Sequence, residues 1–209
     1  MKRRALFGLV LGAVAASTLS GCFPLIAGGM FTGAIVATDR RTAGIVLEDN
    51  SSELRISNRI SSKYGDDAHV NPHSFNRIVL LTGEVRNAEV RQGVEDIAKA
   101  SENVRTVVNE TQIGPNSALA DRASDTLLAN KLRARYLGDG HFSANIVATV
   151  VERHEVFLMG LVTQAEGDEI VNVAKNTSGV ARVVKVFEYV DPASLPQPTP
   201  KTDSKPALQ

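Results

Sequence analysis

Val79-Leu80-Leu81-Thr82-Gly83-Glu84-Val85 is an aliphatic run with a glycine late in it. It returns as Val156-Phe157-Leu158-Met159-Gly160-Leu161-Val162, 77 residues further on. A short apolar run bounded by turn residues reads as a buried strand. Glycine inside a strand weakens it unless a bulge or a close approach requires it, and both glycines are expected to admit a helix packed on the sheet. The repetition extends outward from these runs. Asn58-Arg59-Ile60 through Tyr64 matches Asn130-Lys131-Leu132 through Tyr136 at an offset of 72, and Ala98-Lys99 matches Ala174-Lys175 at 76. Val104 to Val108 matches Val180 to Val184, also at 76. Matched blocks in the same order point to a duplication. The change in offset places extra residues in the second copy between its first helix and its second strand.

Each copy reads as helix, strand, strand, helix, strand. Ile56, Ile60 and Tyr64 recur every fourth residue, the spacing of one helix face, and Leu128, Leu132 and Tyr136 do the same in the second copy. Asn50 and Glu53 have capping-box spacing, and Asp121 is the expected early cap of the second copy's helix. Strands are expected near 68–75 and 78–85, then 145–151 and 155–162, with turns at Asn76-Arg77 and Arg153-His154. Second helices are expected near 88–101 and 165–177, and closing strands near 104–111 and 180–190. The fold class is α+β: two tandem αββαβ units, each a three-stranded mixed sheet with two helices on one face. That arrangement leaves the other face open. In the second copy Phe157, Met159 and Leu161 make this face too apolar for water, so it should pack on the first copy or on a partner protein.

Lys2-Arg3-Arg4, an apolar stretch to Ala16, and Leu19-Ser20-Gly21-Cys22 form an export signal ending in a lipobox-like motif. Small side chains before the cleaved bond and a thiol after it are what lipid transfer requires. Cys22 is the expected lipidation site, residues 1–21 the signal peptide, and 22–45 the tether. Phe23, rather than Asp, follows the cysteine, which by resemblance to lipoproteins favours the outer membrane. In the tether, Arg40 and Arg41 read either as a solvated linker or as cations near lipid phosphates. Residues 192–209 are a Pro-rich tail, expected to be extended or disordered.

Lys plus Arg and Asp plus Glu both number 23, and removal of the signal leaves 20 basic against 23 acidic residues. This speaks against nucleic acid as a partner. The single cysteine permits no intrachain disulfide. No catalytic or cofactor motif stands out. His69 and His73 flank a proline, and Glu152, His154 and Glu155 lie in a turn where solvated charge is expected. No catalytic residue, metal site or cofactor is assigned, and a hydrolase role lacks an acid–base pair.

The strand glycine with flanking aliphatics, inside a repeated αββαβ unit behind a lipobox and the Asp39-Arg40-Arg41-Thr42 linker, resembles the BON domain and the dual BON-domain outer-membrane lipoprotein (DolP, or YraP) family. On that resemblance, residues 46–114 and 115–191 are the two BON domains. It implies the periplasmic face of the outer membrane, binding to anionic phospholipid, a place at division sites and a role in envelope integrity. Envelope-assembly or peptidoglycan-remodelling proteins are the alternative partners, with the chain as their scaffold.

One helix carries the lipid-binding expectation. At about 100° per residue, Leu128, Leu132 and Tyr136 point inward and Leu127 points out, near Ala123, Lys131 and Ala134, with Arg133 and Arg135 along the flanks. The 72-residue offset sets Leu127 against Arg55. A lone exposed leucine is commonplace, and it could also face the first copy. The resemblance places lipid contact on this helix.

Overall fold

The structure is a computed structural model, and it describes residues 39–195. Cys22, the signal peptide, most of the tether and residues 196–209 lie outside the described residues. The first repeat comprises α1 (Ala43–Tyr64), β1 (Ala68–Phe75), β2 (Ile78–Val85), α2 (Ala88–Lys99), β3 (Thr106–Asn109) and a two-residue β4 (Gln112–Ile113). The second comprises α3 (Leu119–Asp139), β5 (Val147–Glu152), β6 (Glu155–Val162), α4 (Gln164–Lys175) and β7 (Arg182–Tyr189). In each, the hairpin is antiparallel and the last strand pairs parallel to the middle one, giving orders β1-β2-β3 and β5-β6-β7. The expected mixed sheets are therefore present. The first closing strand stops at Asn109 and resumes as β4 beside Glu84 and Val85.

Alternation along the central strands divides the core. Val79, Leu81 and Val85 face α1 and α2, where they meet Ile56, Ile60 and Val94. Val156, Leu158 and Val162 face α3 and α4, with Leu132, Tyr136 and Ile170. The intervening residues point the other way. Leu80 and Phe75 from the first repeat close on Phe157, Met159, Leu161 and Val186 from the second. The open face of the second sheet is thus covered by the first repeat, and the two sheets share one apolar seam. Phe157, Met159 and Leu161 are 1, 1 and 9% exposed, which removes them as a face for another protein.

The two hairpin turns are built without glycine. Asn76, Arg77, Arg153 and His154 all have positive φ, a conformation L-residues avoid. A buried carboxylate from the preceding helix compensates in each case. Asp49 accepts from the Asn76 and Arg77 amides, both at 2.8 Å, and from Ser74 Oγ at 2.9 Å. Asp125 accepts from the Arg153 and His154 amides at 2.7 and 2.9 Å. Successive left-handed residues aim their N–H groups at one point, which makes a small anion nest.

This pair of aspartates corrects the internal alignment. The buried positions of α1 are Asp49, Ser52, Ile56 and Ile60, and those of α3 are Asp125, Leu128, Leu132 and Tyr136. The offset is a constant 76 rather than 72, and it becomes 77 only in the hairpin. One residue, not five, is added between helix and hairpin. Leu127 therefore matches Ser51 instead of Arg55. A slip of one helical turn keeps the apolar face in phase, so periodicity alone could not detect it.

Three local expectations also change. α1 starts at Ala43, capped by Thr42 Oγ1 on the Ile45 amide, not by Asn50. Helix α3 starts at Leu119 after Ala118, so Asp121 lies in its first turn rather than at its cap. The strand glycines accommodate neighbouring backbone rather than a helix. A Cβ on Gly83, whose φ is +101, would lie 2.1 Å from the His69 carbonyl oxygen, and one on Gly160 would lie 2.6 Å from that of Ile146.

Asp125→Ala should lower the unfolding free energy by about 3 kcal/mol, because two turn amides lose a charged acceptor. Asp125→Asn should cost less than half as much. Urea denaturation followed by circular dichroism reads both.

Candidate functional site

Helix α3 sets Leu128, Leu132 and Tyr136 into the core, which turns the opposite side of the helix to solvent. Leu119, Leu127 and Leu137 are 76, 71 and 67% exposed. At about 100° per residue they fall within an arc of about 80°, with Ala123 and Ala134 between them. Leu127 is exposed as its position on the helix predicts. Sequence reading missed Leu119 and Leu137, although the same periodicity, carried to the ends of the helix, places both on this ridge.

The cations around the ridge have distinct local partners. Lys131 Nζ donates to Ser178 O at 3.0 Å and to Ser178 Oγ at 2.5 Å, and Arg135 Nη1 donates to Asn176 O at 2.6 Å. Arg55, the counterpart of Lys131, reaches the Glu102 carbonyl, the counterpart of Ser178 O. Both repeats thus tie the first helix to the loop after the second. Lys131 and Arg135 have structural work here. On the other flank, Arg122 meets His69 Nε2 at 3.1 Å. Arg133 has no hydrogen bond or ion pair with another described residue.

On that same flank lies a cleft of about 700 Å³ between α1 and α3, lined among others by Leu54, His73, Thr126, Ala129 and Met159. Burial governs its titratable groups. It lowers the pKa of the His73 imidazole and raises those of Glu53 and Glu152, with Glu84 reinforcing the shift at Glu152. Glu53 accepts from the Ser74 amide at 2.7 Å, and Glu152 lies 3.5 Å from Asn71 Nδ2. Their hydrogen bonds therefore run to the scaffold.

No metal site is assigned from the sequence, but one group of metal-type donors gathers near the end of α3. Among the described residues Asp139, His141 and Glu169 bring one ligand atom each within 4.8 Å of one another. His141 Nδ1 lies 3.0 Å from Asp139 Oδ1, a hydrogen bond that needs no metal.

Arg40 and Arg41 are neither a solvated linker nor free cations. Arg40 binds Glu166 through both guanidinium ends, at 2.8 and 2.7 Å, and Leu161 O at 2.7 Å. Arg41 pairs with Asp39 and Asp49 and lies 3.8 Å above the Phe75 ring.

The BON-domain profile matches residues 52–115 and 124–191. The outer membrane lipoprotein DolP of Haemophilus influenzae is 35% identical over 175 residues, 83% of this chain and 91% of that protein. The chain belongs to the dual BON-domain DolP family. The first repeat is BON1 and the second BON2. A 21 kDa hemolysin of Actinobacillus pleuropneumoniae is 28% identical over 154 residues, 73% of this chain and 79% of its own. Two solved chains of CdsD, a structural protein of the type III secretion system of Chlamydia trachomatis, are 15 and 12% identical. They cover 68 and 66% of this chain and 63 and 96% of their own, with TM-scores of 0.27 and 0.29.

Arg40 is the first cause of a large shift at Glu166, whose carboxyl is held down from 4.5 to about 2. A depressed carboxyl contributes stability that is full above its unfolded value and is lost as pH falls through the folded one. The urea midpoint of the wild type should therefore fall between about pH 4.5 and pH 2 by more than that of Glu166→Gln, which lacks this titration.

Proposed function

We propose that this chain is an outer-membrane lipoprotein, acylated at Cys22, that rests the α3 ridge of BON2 on an anionic phospholipid surface. In this reading it works by binding rather than catalysis and supports outer-membrane integrity from the periplasmic side, at division sites. Membership of the DolP family supports the outer-membrane and lipoprotein parts. The observation that carries the lipid contact is the row of Leu119, Leu127 and Leu137 on one helix, with Arg133 beside it and unpaired among the described residues.

The energetics are those of a weak contact made sufficient by tethering. Full burial of one leucine contributes roughly 1.5–3 kcal/mol. A surface helix with an apolar ridge and cationic flanks lies in the interface plane, and anionic headgroups add attraction. Leucine inserts without the interfacial preference of tryptophan, so several leucines along one ridge are needed where one aromatic would serve. An acyl anchor turns their contact into an intramolecular event and raises the effective concentration of the bilayer. No helix among the described residues is long and apolar enough to cross a membrane.

The non-acylated chain should float with phosphatidylethanolamine–phosphatidylglycerol vesicles and stay behind with neutral ones. Leu127→Glu should reduce the floated fraction by about tenfold, the effect of losing one buried leucine, and Leu119→Glu or Leu137→Glu should act in the same direction. Equal recovery with neutral and anionic vesicles would sink the lipid reading, and so would equal recovery of wild type and Leu127→Glu.

A further inference from the structure

The edge strands β1 and β5 both line the cleft between α1 and α3. In an antiparallel pair, alternate residues turn their N–H and C=O groups toward the partner strand and the others turn them away. The two-residue hairpin turns fix which is which, because the residues flanking such a turn bond to each other. On β1 the outward positions are therefore Val70, Pro72 and Ser74, and on β5 they are Val147, Thr149 and Val151. An open row of this kind is a template for a further strand. β1 is closed to one: Pro72 has no N–H, and the Ser74 amide donates to Glu53 Oε1 at 2.7 Å. Both blocks are missing from β5. Through the 77-residue hairpin offset Thr149 stands where Pro72 stands, and through the 76-residue helix offset Ala129 stands where Glu53 stands. Among the described residues nothing bonds to the Val147, Thr149 or Val151 amides from the outer side.

The space beside β5 has the length and the lining of a strand site. The cleft of about 700 Å³ runs beside Ala148 to Glu152, and a hollow of about 370 Å³ runs beside Val147 to Thr149. Ala129, Asn130, Ala148 and Thr149 line both, so the two adjoin and together follow β5 from end to end. Leu54, Pro72, Val150 and Met159 give the cleft apolar walls. Charge differs between the ends. Glu152, the last residue of β5, has only Asn71 Nδ2 at 3.5 Å, while Arg122 in the cleft meets His69. Arg41 and Arg133 line the hollow; Arg41 is engaged by Asp39 and Asp49, and Arg133 is unpaired among the described residues. We propose that β5 is a docking edge for an extended segment of another protein, which joins the second sheet as a further strand, sets apolar side chains against Val150 and Met159, and brings a cation to Glu152 and a carboxylate to Arg133. Main-chain bonds along the edge supply the affinity, and alternate side chains supply the selection. An acyl chain has no donor or acceptor to offer this ladder. A second copy does not fit either, because each β5 is recessed between its own α1 and α3. The groove lies beside the leucine ridge, and the proposal is independent of the lipid reading.

The test uses the full non-acylated chain and a synthetic probe. The probe is an end-capped peptide of alternating valine and threonine with lysine at one end and aspartate at the other, made in both orders and labelled for fluorescence anisotropy. Hydrogen exchange of the Thr149 and Val151 amides reports the edge. One of the two orders should bind and slow exchange at both amides by at least about tenfold, and N-methylation of its ladder-facing amides should abolish both effects. Thr149→Pro and Ala129→Glu copy into BON2 the two blocks found in BON1, and each should weaken probe binding by about tenfold. Ala129→Glu decides the matter if circular dichroism shows that Thr149→Pro has not folded. Failure of both orders at millimolar probe overturns the proposal, and so does binding that the folded variants retain. Slow exchange of these amides in the free chain means that the edge is already covered, which also overturns it. If phosphatidylglycerol vesicles without peptide slow the exchange as the probe should, the groove takes lipid and the strand reading falls, while the lipid reading of α3 stands.

Discussion

The carboxylates of Asp49 and Asp125 are the constraint on which both domains depend. Each is buried, and each collects the two amides of a hairpin turn whose residues all sit in the left-handed region. A turn of this type ordinarily recruits glycine or asparagine. Here the acceptor beneath it lets Arg and His adopt the conformation. The same bonds set the helix against the hairpin, because an aspartate is short and its two oxygens are both engaged. Strand register follows from the turn, and the division of each central strand into a helix-facing and a seam-facing row follows from register.

The seam then makes one body of two domains. Each sheet buries one face under its own helices and offers the other to its neighbour. Phe157, Met159 and Leu161 meet Phe75 and Leu80, and the surrounding pairs, Arg105 with Glu188 and Arg182 with Glu110, join the repeats at the margin. At the polar end Glu84 is fully buried and Arg153 approaches it at 3.5 Å. An apolar seam with charged ends favours one relative placement over sliding, since displacement would bury charge against leucine or phenylalanine.

With the seam closed, the surface left for recognition is the outside of the helices and the β5 edge. Here the pseudo-repeat separates structural from free groups. A cation whose counterpart in the other domain makes the equivalent bond, as Lys131 and Arg55 do, belongs to the scaffold. Leu119 and Leu127 are matched by alanine and serine in α1, which carries exposed leucines of its own at other positions, Leu47 and Leu54. The segment before α1 joins both domains, Arg40 to Glu166 of BON2 and Arg41 to Asp49 of BON1.

Legible along the chain are the order of the elements, the duplication, the alternation that buries Phe157, Met159 and Leu161, and the outward direction of Leu127. Apart from the duplication, which shows as matched blocks 72 to 77 residues apart, these are periodic signals of 2.0 or 3.6 residues, carried by side chains near one another along the chain. Tertiary structure decided what depends on long-range partners of single polar groups: the 76-residue alignment through Asp49 and Asp125, the engagement of Lys131 and Arg135, and the reach of Arg40 to a glutamate 126 positions away. A charged residue looks the same in the chain whether water or a buried acceptor receives it, and only the packed fold brings that acceptor within bonding distance.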